Sequence, residues 1–331
     1  MKNMLSLRQT VAATALAALA LTSCEYKPLD DFDDSLMKVN IDIHFDWQNV
    51  DSIPGYMRVV FYPEDKVSYT QGYTFFDVLN RDTTVQLPAG IYGINAWNND
   101  CEHVITTGYS EQDKAYATTG NYSPHGNAYI PSVLDSIYDR QRVLDYPDYM
   151  VHASLRNFVI EDYDYTGEGD QKRQTVTLTP DSMVVTVDVR LHGIGGLEYC
   201  YNIRGAVNNL AGKRYMASPN RTEDQVAIMF DGVKHSEDSL VTSRFWVFGI
   251  EPTDMKWLQH KMIFFFWITG NQVYLPIDIT NIIAAYSKDD RYVLIDAFCD
   301  LDLTQYVRQG STGMHVDAED WLYTKEIILN F

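Results

Sequence analysis

The side chain most clearly set up for chemistry is the thiol of Cys24. Leu21-Thr22-Ser23-Cys24 closes an apolar stretch, Val11 to Leu21, that follows the positive charges of Lys2 and Arg8. At 11 residues the stretch is too short for a bilayer span, which takes about 20, and it suits the core of a signal peptide. Small residues before such a cysteine form the bacterial lipobox pattern. The thiol takes a diacylglyceryl group, and its small neighbours admit the peptidase that makes Cys24 the new N-terminus. Residues 1–23 are therefore expected to be a lipoprotein signal peptide, and residues 24–37, with Asp30, Asp31, Asp33 and Asp34, an acidic tether.

The other reactive residue types lack the spacing that chemistry needs. Cys101, Cys200 and Cys299 are an odd set; Cys200 and Cys299 lie in strand-like runs, either as small core residues or as one disulfide. The 8 histidines form no HExxH motif and no i, i+4 pair, so neither a metal nor another cofactor is expected. There is no GxSxG elbow, P-loop or GxGxxG, and Gly193-Ile-Gly195-Gly196 reads as a hairpin turn. Carboxylates are plentiful, but none forms a recognisable acid–base pair, so the chain does not read as an enzyme. Asp162-Tyr-Asp164-Tyr-Thr166-Gly167 opens like a calcium loop, yet its twelfth position is Arg173, which leaves an acidic hairpin loop as the reading.

Two patterns concern contact and modification instead. Tyr109, Tyr116, Tyr122, Tyr129 and Tyr146 crowd one weakly periodic stretch and make a candidate recognition surface, since tyrosine offers a rigid ring with a polar tip. The plainer reading is that these rings pin a long loop to its own domain. Asp-Ser or Asp-Thr followed by an apolar residue or threonine recurs along the chain, making Ser35, Ser52, Ser136 and Ser239 candidates for O-glycosylation; the same dipeptides also open strands at turns.

The background to these residues is acidic. Lys and Arg number 26 against 45 Asp and Glu, a net charge of −19, and losing Lys2 and Arg8 with the signal takes it to −21. Such a chain repels phosphate backbones, which excludes nucleic acid, while 46% apolar residues supply a sizeable core. The length predicts about two domains.

The elements that must position the candidates are strands. Val39, Ile41, Ile43, Phe45 and Trp47 alternate with polar residues, and further strands are read at 57–62, 83–87, 91–97, 151–160 and 174–178. The alternation restarts after Pro180 with Val185, Val187, Val189 and Leu191. Met262 to Ile268 is wholly apolar and reads as a strand buried on both faces. Short helices are read at Val133–Arg142 and Ile277–Tyr286. The expectation is an all-β chain of two β-sandwiches, 38–180 and 181–331, with 101–149 a tyrosine-rich loop excursion from the first.

Four segments carry a family resemblance: Phe61-Tyr-Pro-Glu-Asp65, the run from Leu87-Pro-Ala-Gly-Ile-Tyr to Asp100, the pair Ile268-Thr-Gly-Asn271 and Leu275-Pro-Ile-Asp-Ile-Thr280, and Val316-Asp-Ala-Glu-Asp-Trp321. Together with the lipobox and tether they resemble the fimbrillin-related surface lipoproteins of Bacteroidetes, near the fimbrial anchor and accessory subunits. The resemblance implies two tandem transthyretin-like sandwiches at the outer membrane, held by lipid on Cys24 and exposed at the cell surface. It implies a structural or adhesion role as a fimbrial anchor, tip or accessory subunit, with other subunits as partners through strand exchange. The Asp-Ser sites likewise resemble an O-glycosylation sequon of that group. Stalk subunits are opened by cleavage after a basic residue, and here only Lys27 and Lys38 precede or open the first strand, which points away from a stalk role. The alternative is a glycan-binding lipoprotein of a polysaccharide-uptake system; a host protein is a further possible partner.

Overall fold

A computed structural model describes residues 38–64, 72–122, 141–161, 173–218, 220–253, 258–268, 271–287, 290–307 and 325–326. Apart from short helical turns its elements are strands, as the alternating pattern requires. In β1 (Lys38–Phe45) Val39, Ile41, Ile43 and Phe45 are buried and the residues between them are not. This strand lies between β4 (Thr83–Pro88), antiparallel, and β10 (Arg173–Leu178), parallel. The facing sheet comprises β2 (Tyr56–Pro63), β3 (Thr74–Leu79), β5 (Gly90–Asn98), β9 (Val151–Ile160) and β11 (Asp181–Ser182), in the order β11-β9-β5-β2-β3. Ile41, Ile43, Val85 and Leu87 from one sheet meet Met57, Val59, Phe61 and Ile94 from the other.

A second pair of sheets follows. One holds β12 (Val185–Gly195), β15 (Val233–His235), β16 (Leu240–Val247) and β19 (Tyr292–Asp302), in the order β15-β16-β12-β19. The other is built on β13 (Cys200–Tyr215), β14 (Thr222–Asp231), β17 (Lys261–Ile268) and β18 (Asn271–Asp278). The short β20 (Lys325–Glu326) pairs with β18 in parallel at its edge. Phe264 and Phe266 of β17 fill the space between these sheets, while Ile263 and Phe265 are equally buried in an outer cluster with Ala206, Met229 and Trp267. The wholly apolar run is thus buried on both faces, as read.

A third cluster joins the two sheet pairs. The outward residues of β2 and β5, Val60, Tyr62 and Trp97, pack against Ala115, Ala117, Met150, Met183, Val184, Met216 and Phe248. The five-stranded sheet therefore has apolar neighbours on both faces, and the chain passes from one sheet pair to the other through this waist at Met183 and Val184.

Three expectations change. Within 101–149 the described residues are not a loop of the first sandwich: they form β6 (Val104–Thr107), β7 (Tyr116–Thr119) and β8 (Arg142–Asp145). β7 pairs with the end of β13 and β8 runs parallel to β14, so the segment extends the second sandwich. Four-residue strands of Thr, Tyr and Val carry too little alternation to announce themselves, and the backbone of β13 and β14 supplies the pairing. Over 277–286 only one turn, α1 (Thr280–Ile283), is helical; β-branched residues and Pro276 keep the preceding stretch in β18. Gly193 and Gly195 lie inside β12 rather than in a turn. A Cβ on Gly193 (φ +81°) would meet Cys299 O at 1.9 Å, so this glycine serves close strand approach at a bulge.

The waist generates two expectations. Phe248→Ala leaves a cavity among fully packed neighbours and is expected to cost about 3–5 kcal/mol, read as a lowered urea midpoint; a loss under about 1 kcal/mol would contradict a tight waist. Beside it His152 is wholly buried, and desolvation, with Arg214 adding to it, lowers its pKa to about 4. The folded ring stays neutral, so between about pH 6.5 and 4 only the unfolded chain takes up the proton. That component of stability, at most about 3 kcal/mol, is full above pH 6.5 and lost as pH falls towards 4. Urea midpoints measured across that range should slope less in His152→Gln than in the wild type; equal slopes would exclude the effect.

Candidate functional site

The concave site with the richest chemistry lies on the second sandwich, where β8, β14 and β13 end side by side. It has a volume of about 320 Å³ and is lined by His103, Tyr122, Asp145, Tyr146, Arg204 and Asp231, with Met229 and Phe230 below. Strand register builds it. Arg204 of β13 stands directly across from Asp231 of β14, and Met229, two residues back, stands beside Asp145 of β8. Period two puts Arg204, Met229, Asp231 and Asp145 on the outer face, and Tyr122 is tied alongside by its N–H donating to Val143 O at 2.9 Å.

The polar groups brace one another. Arg204 Nη1 donates to Tyr122 Oη, and its guanidinium lies 5.6 Å from the centre of that ring. Arg204 Nε is 3.1 Å from Asp231 Oδ1 but off line, and buried, so it completes no hydrogen bond there. His103 Nδ1 is 3.0 Å from Asp148 Oδ1, which raises the histidine pKa, and its ring leans on Tyr146 at 6.5 Å. Burial pushes both phenols above their ordinary range; for each, Asp145 and Asp231 push further and Arg204 opposes them. Asp145, Asp148 and Asp231 outnumber Arg204 and His103, so the site is mildly acidic. It offers two protonated phenols, a guanidinium and carboxylates around the outward side chain of Met229.

The structure thus brings Tyr122 and Tyr146 together and separates them from the other candidates. Tyr109 is part of the waist, 5.9 Å from Tyr73 and 6.4 Å from Trp97. Tyr116 lies tilted against Tyr215 at 5.7 Å, with Lys213 over its ring. Ser52 is exposed in the turn before β2, and Ser239, with φ +50°, closes the turn between β15 and β16. Cys24, Ser35, Tyr129 and Ser136 lie outside the described residues, as do the acidic loop at 162–170 and the segment Val316–Trp321. Arg204, Asp231, Asp145 and His103 went unnoticed in the sequence. Arg204 and Asp231 each sit at a strand's polar position, and only the register shows that they pair. Among the described residues no three His, Cys, Asp or Glu side chains group as metal ligands.

The fold is shared with known proteins. A candidate adhesin from Bacteroides ovatus superposes with a TM-score of 0.59 at 19% identity, covering 81% of this chain and 95% of that one. A second candidate adhesin from Bacteroides ovatus gives 0.46 at 7% identity over 80% and 87%. The fimbrial anchor protein Mfa2 from Porphyromonas gingivalis gives 0.47 at 12% identity over 79% and 90%. The fold is therefore that of the Bacteroides ovatus candidate adhesin, an all-β architecture as the sequence pattern leads one to expect. The chain belongs to the family described as a domain of unknown function (DUF5119), whose pattern matches residues 23–231. No curated protein matches the sequence.

The cysteines complete the site residues. All three described thiols are free, and Cys200 and Cys299 are core residues rather than a disulfide. Burial raises the Cys101 and Cys299 thiols to about 12, and Cys200 also rises. A thiol reagent at pH 8 should label the native chain slowly and, after urea, label Cys101, Cys200 and Cys299 alike. Rapid native labelling of Cys200 or Cys299 would contradict this packing.

Proposed function

We propose that the chain is a lipid-anchored protein of the bacterial outer surface that serves adhesion as an anchor, tip or accessory subunit of a fimbrium. The observation that carries this reading is the shared fold with the Bacteroides ovatus candidate adhesin, which accounts for 95% of that chain. The lipobox at Cys24 supplies the anchor: two or three acyl chains hold a protein at a membrane that its acidic surface would not bind. Among the described residues no helix is long and apolar enough to cross a membrane.

Strand placement supports an end-of-fibre role over a stalk role. β1 is hydrogen-bonded on both sides, and Ile41 and Ile43 are fully buried. Cleavage after Lys27 leaves this strand seated, and cleavage after Lys38 falls at its first residue, so no basic site removes it cleanly. A subunit that keeps its first strand presents no vacant groove and ends a strand-exchange series. Ser52 and Ser239, both at turns, are the described candidates for O-glycan attachment.

In cells fed radiolabelled palmitate the wild-type chain should carry label, and added proteinase should degrade it on intact cells. Cys24→Ala should lose the label and leave the membrane fraction. Cross-linking of the wild type should recover fimbrial subunits. Wild-type fimbriation and adhesion after deletion of the chain would overturn the reading.

A further inference from the structure

We propose that the pocket between Tyr122, Tyr146, Arg204, Asp145 and Asp231 is a binding site for a neutral sugar ring, such as the terminal hexose or N-acetylhexosamine of a glycan. This deepens the adhesion reading by naming a ligand class, and it can stand or fall separately from it.

Size is the first argument. About 320 Å³ is at the low end of the ~300–1,000 Å³ of small-molecule sites, which suits the end of a glycan better than a protein segment. The second is the pairing of surfaces. A pyranose has an apolar C–H face and a rim of hydroxyls, each both donor and acceptor. Tyr146 supplies ring surface with a polar tip, Tyr122 holds Arg204 in place beside it, and the carboxylates of Asp145 and Asp231 can accept from neighbouring hydroxyls. Arg204 supplies donors: of its five N–H groups one is committed to Tyr122 Oη, and the buried Nε makes no aligned hydrogen bond. With Nε buried beside Asp231, it is the remaining Nη N–H groups of this partly exposed side chain that a sugar hydroxyl oxygen can meet.

Charge narrows the class. Asp145 and Asp231 in the pocket, with Asp148 behind His103, oppose a uronate or sialic acid. A cationic guest fares no better, because the site already holds its own cation. Arg204 lies over the Tyr122 ring, where an incoming ammonium would otherwise sit, and would repel it. What remains favourable is a neutral polyol. Arg204, Asp145 and Asp231 stand on paired strands and Tyr122 is tied to β8 through Val143 O, so the polar groups need little ordering on binding.

The test is affinity electrophoresis of the full chain in detergent through gels carrying a glucan, a galactan, a mannan, chitin oligosaccharides, a polyuronate or a sialylated glycan. At least one neutral glycan should retard it. Tyr146→Ala, and the isosteric Asp231→Asn, which keeps the pocket's shape, should each weaken that retardation tenfold or more. Tyr116→Ala, remote from the pocket, should leave it unchanged. No retardation by any neutral glycan, retardation by the anionic glycans alone, or neutral binding unaffected in Asp231→Asn would each overturn the proposal. Cross-linking to fimbrial subunits with no sugar binding would end this inference and leave the adhesion reading intact. Sugar binding without fimbrial partners would do the reverse.

Discussion

The architecture depends on the apolar contact at the waist. A sheet in a two-layer sandwich ordinarily turns one face to its partner and the other to water. Here β2 and β5 bury both: Met57, Val59, Phe61 and Ile94 face the first core, and Val60, Tyr62 and Trp97 face the waist. On the other side are Met183 and Val184 between the sandwiches, Met216 just after β13 and Phe248 just after β16. Three of the ten buried residues are methionines, whose flexible side chains suit an irregular gap between two packed surfaces. Domains joined by a linker alone would swing; a packed seam of this kind makes them one body.

Burying the outer face of β5 also buries polar groups, which must then be bonded. Asn95 is fully buried, and its amide donates to Gln112 O at 3.1 Å while its oxygen accepts from Ser154 Oγ at 2.9 Å. Gln112 Nε2 in turn donates to Leu155 O at 3.0 Å and Ile94 O at 3.2 Å. The plug fits because position 93 is glycine: a Cβ there would come within 2.0 Å of Gln112 Oε1. A satisfied network of this kind fixes the seam's geometry as well as its strength. The single turn Gln112–Lys114 thereby docks the start of the 101–149 segment against the first sandwich.

How far the sequence could be read follows from the same contrast. β1, β12 and β17 were legible because their apolar residues obey one rule over seven or more positions, period two for half-buried strands and an unbroken run for the doubly buried one. β6, β7 and β8 were not, since four residues sample only two per face and Thr or Tyr suits either. For the pocket, Tyr122 and Tyr146 were legible as aromatics in a stretch without a core pattern. Arg204 and Asp231 were not, because pairing residues 27 positions apart needs the register of β13 on β14. That register is itself shifted at Asn208 and Asn209, where Asn209 takes φ +61° and no alternation count would continue across.

The segment that locks the waist is also the one that builds the pocket. Ala115 and Ala117 are buried at the seam, β7 pairs with the far end of β13, and Tyr122 follows within a few residues. The chain then returns as β8 on β14, bringing Asp145 and Tyr146, and Met150 re-enters the seam directly afterwards. Both ends of the pocket-forming stretch are therefore anchored in the one contact that fixes the sandwiches relative to each other.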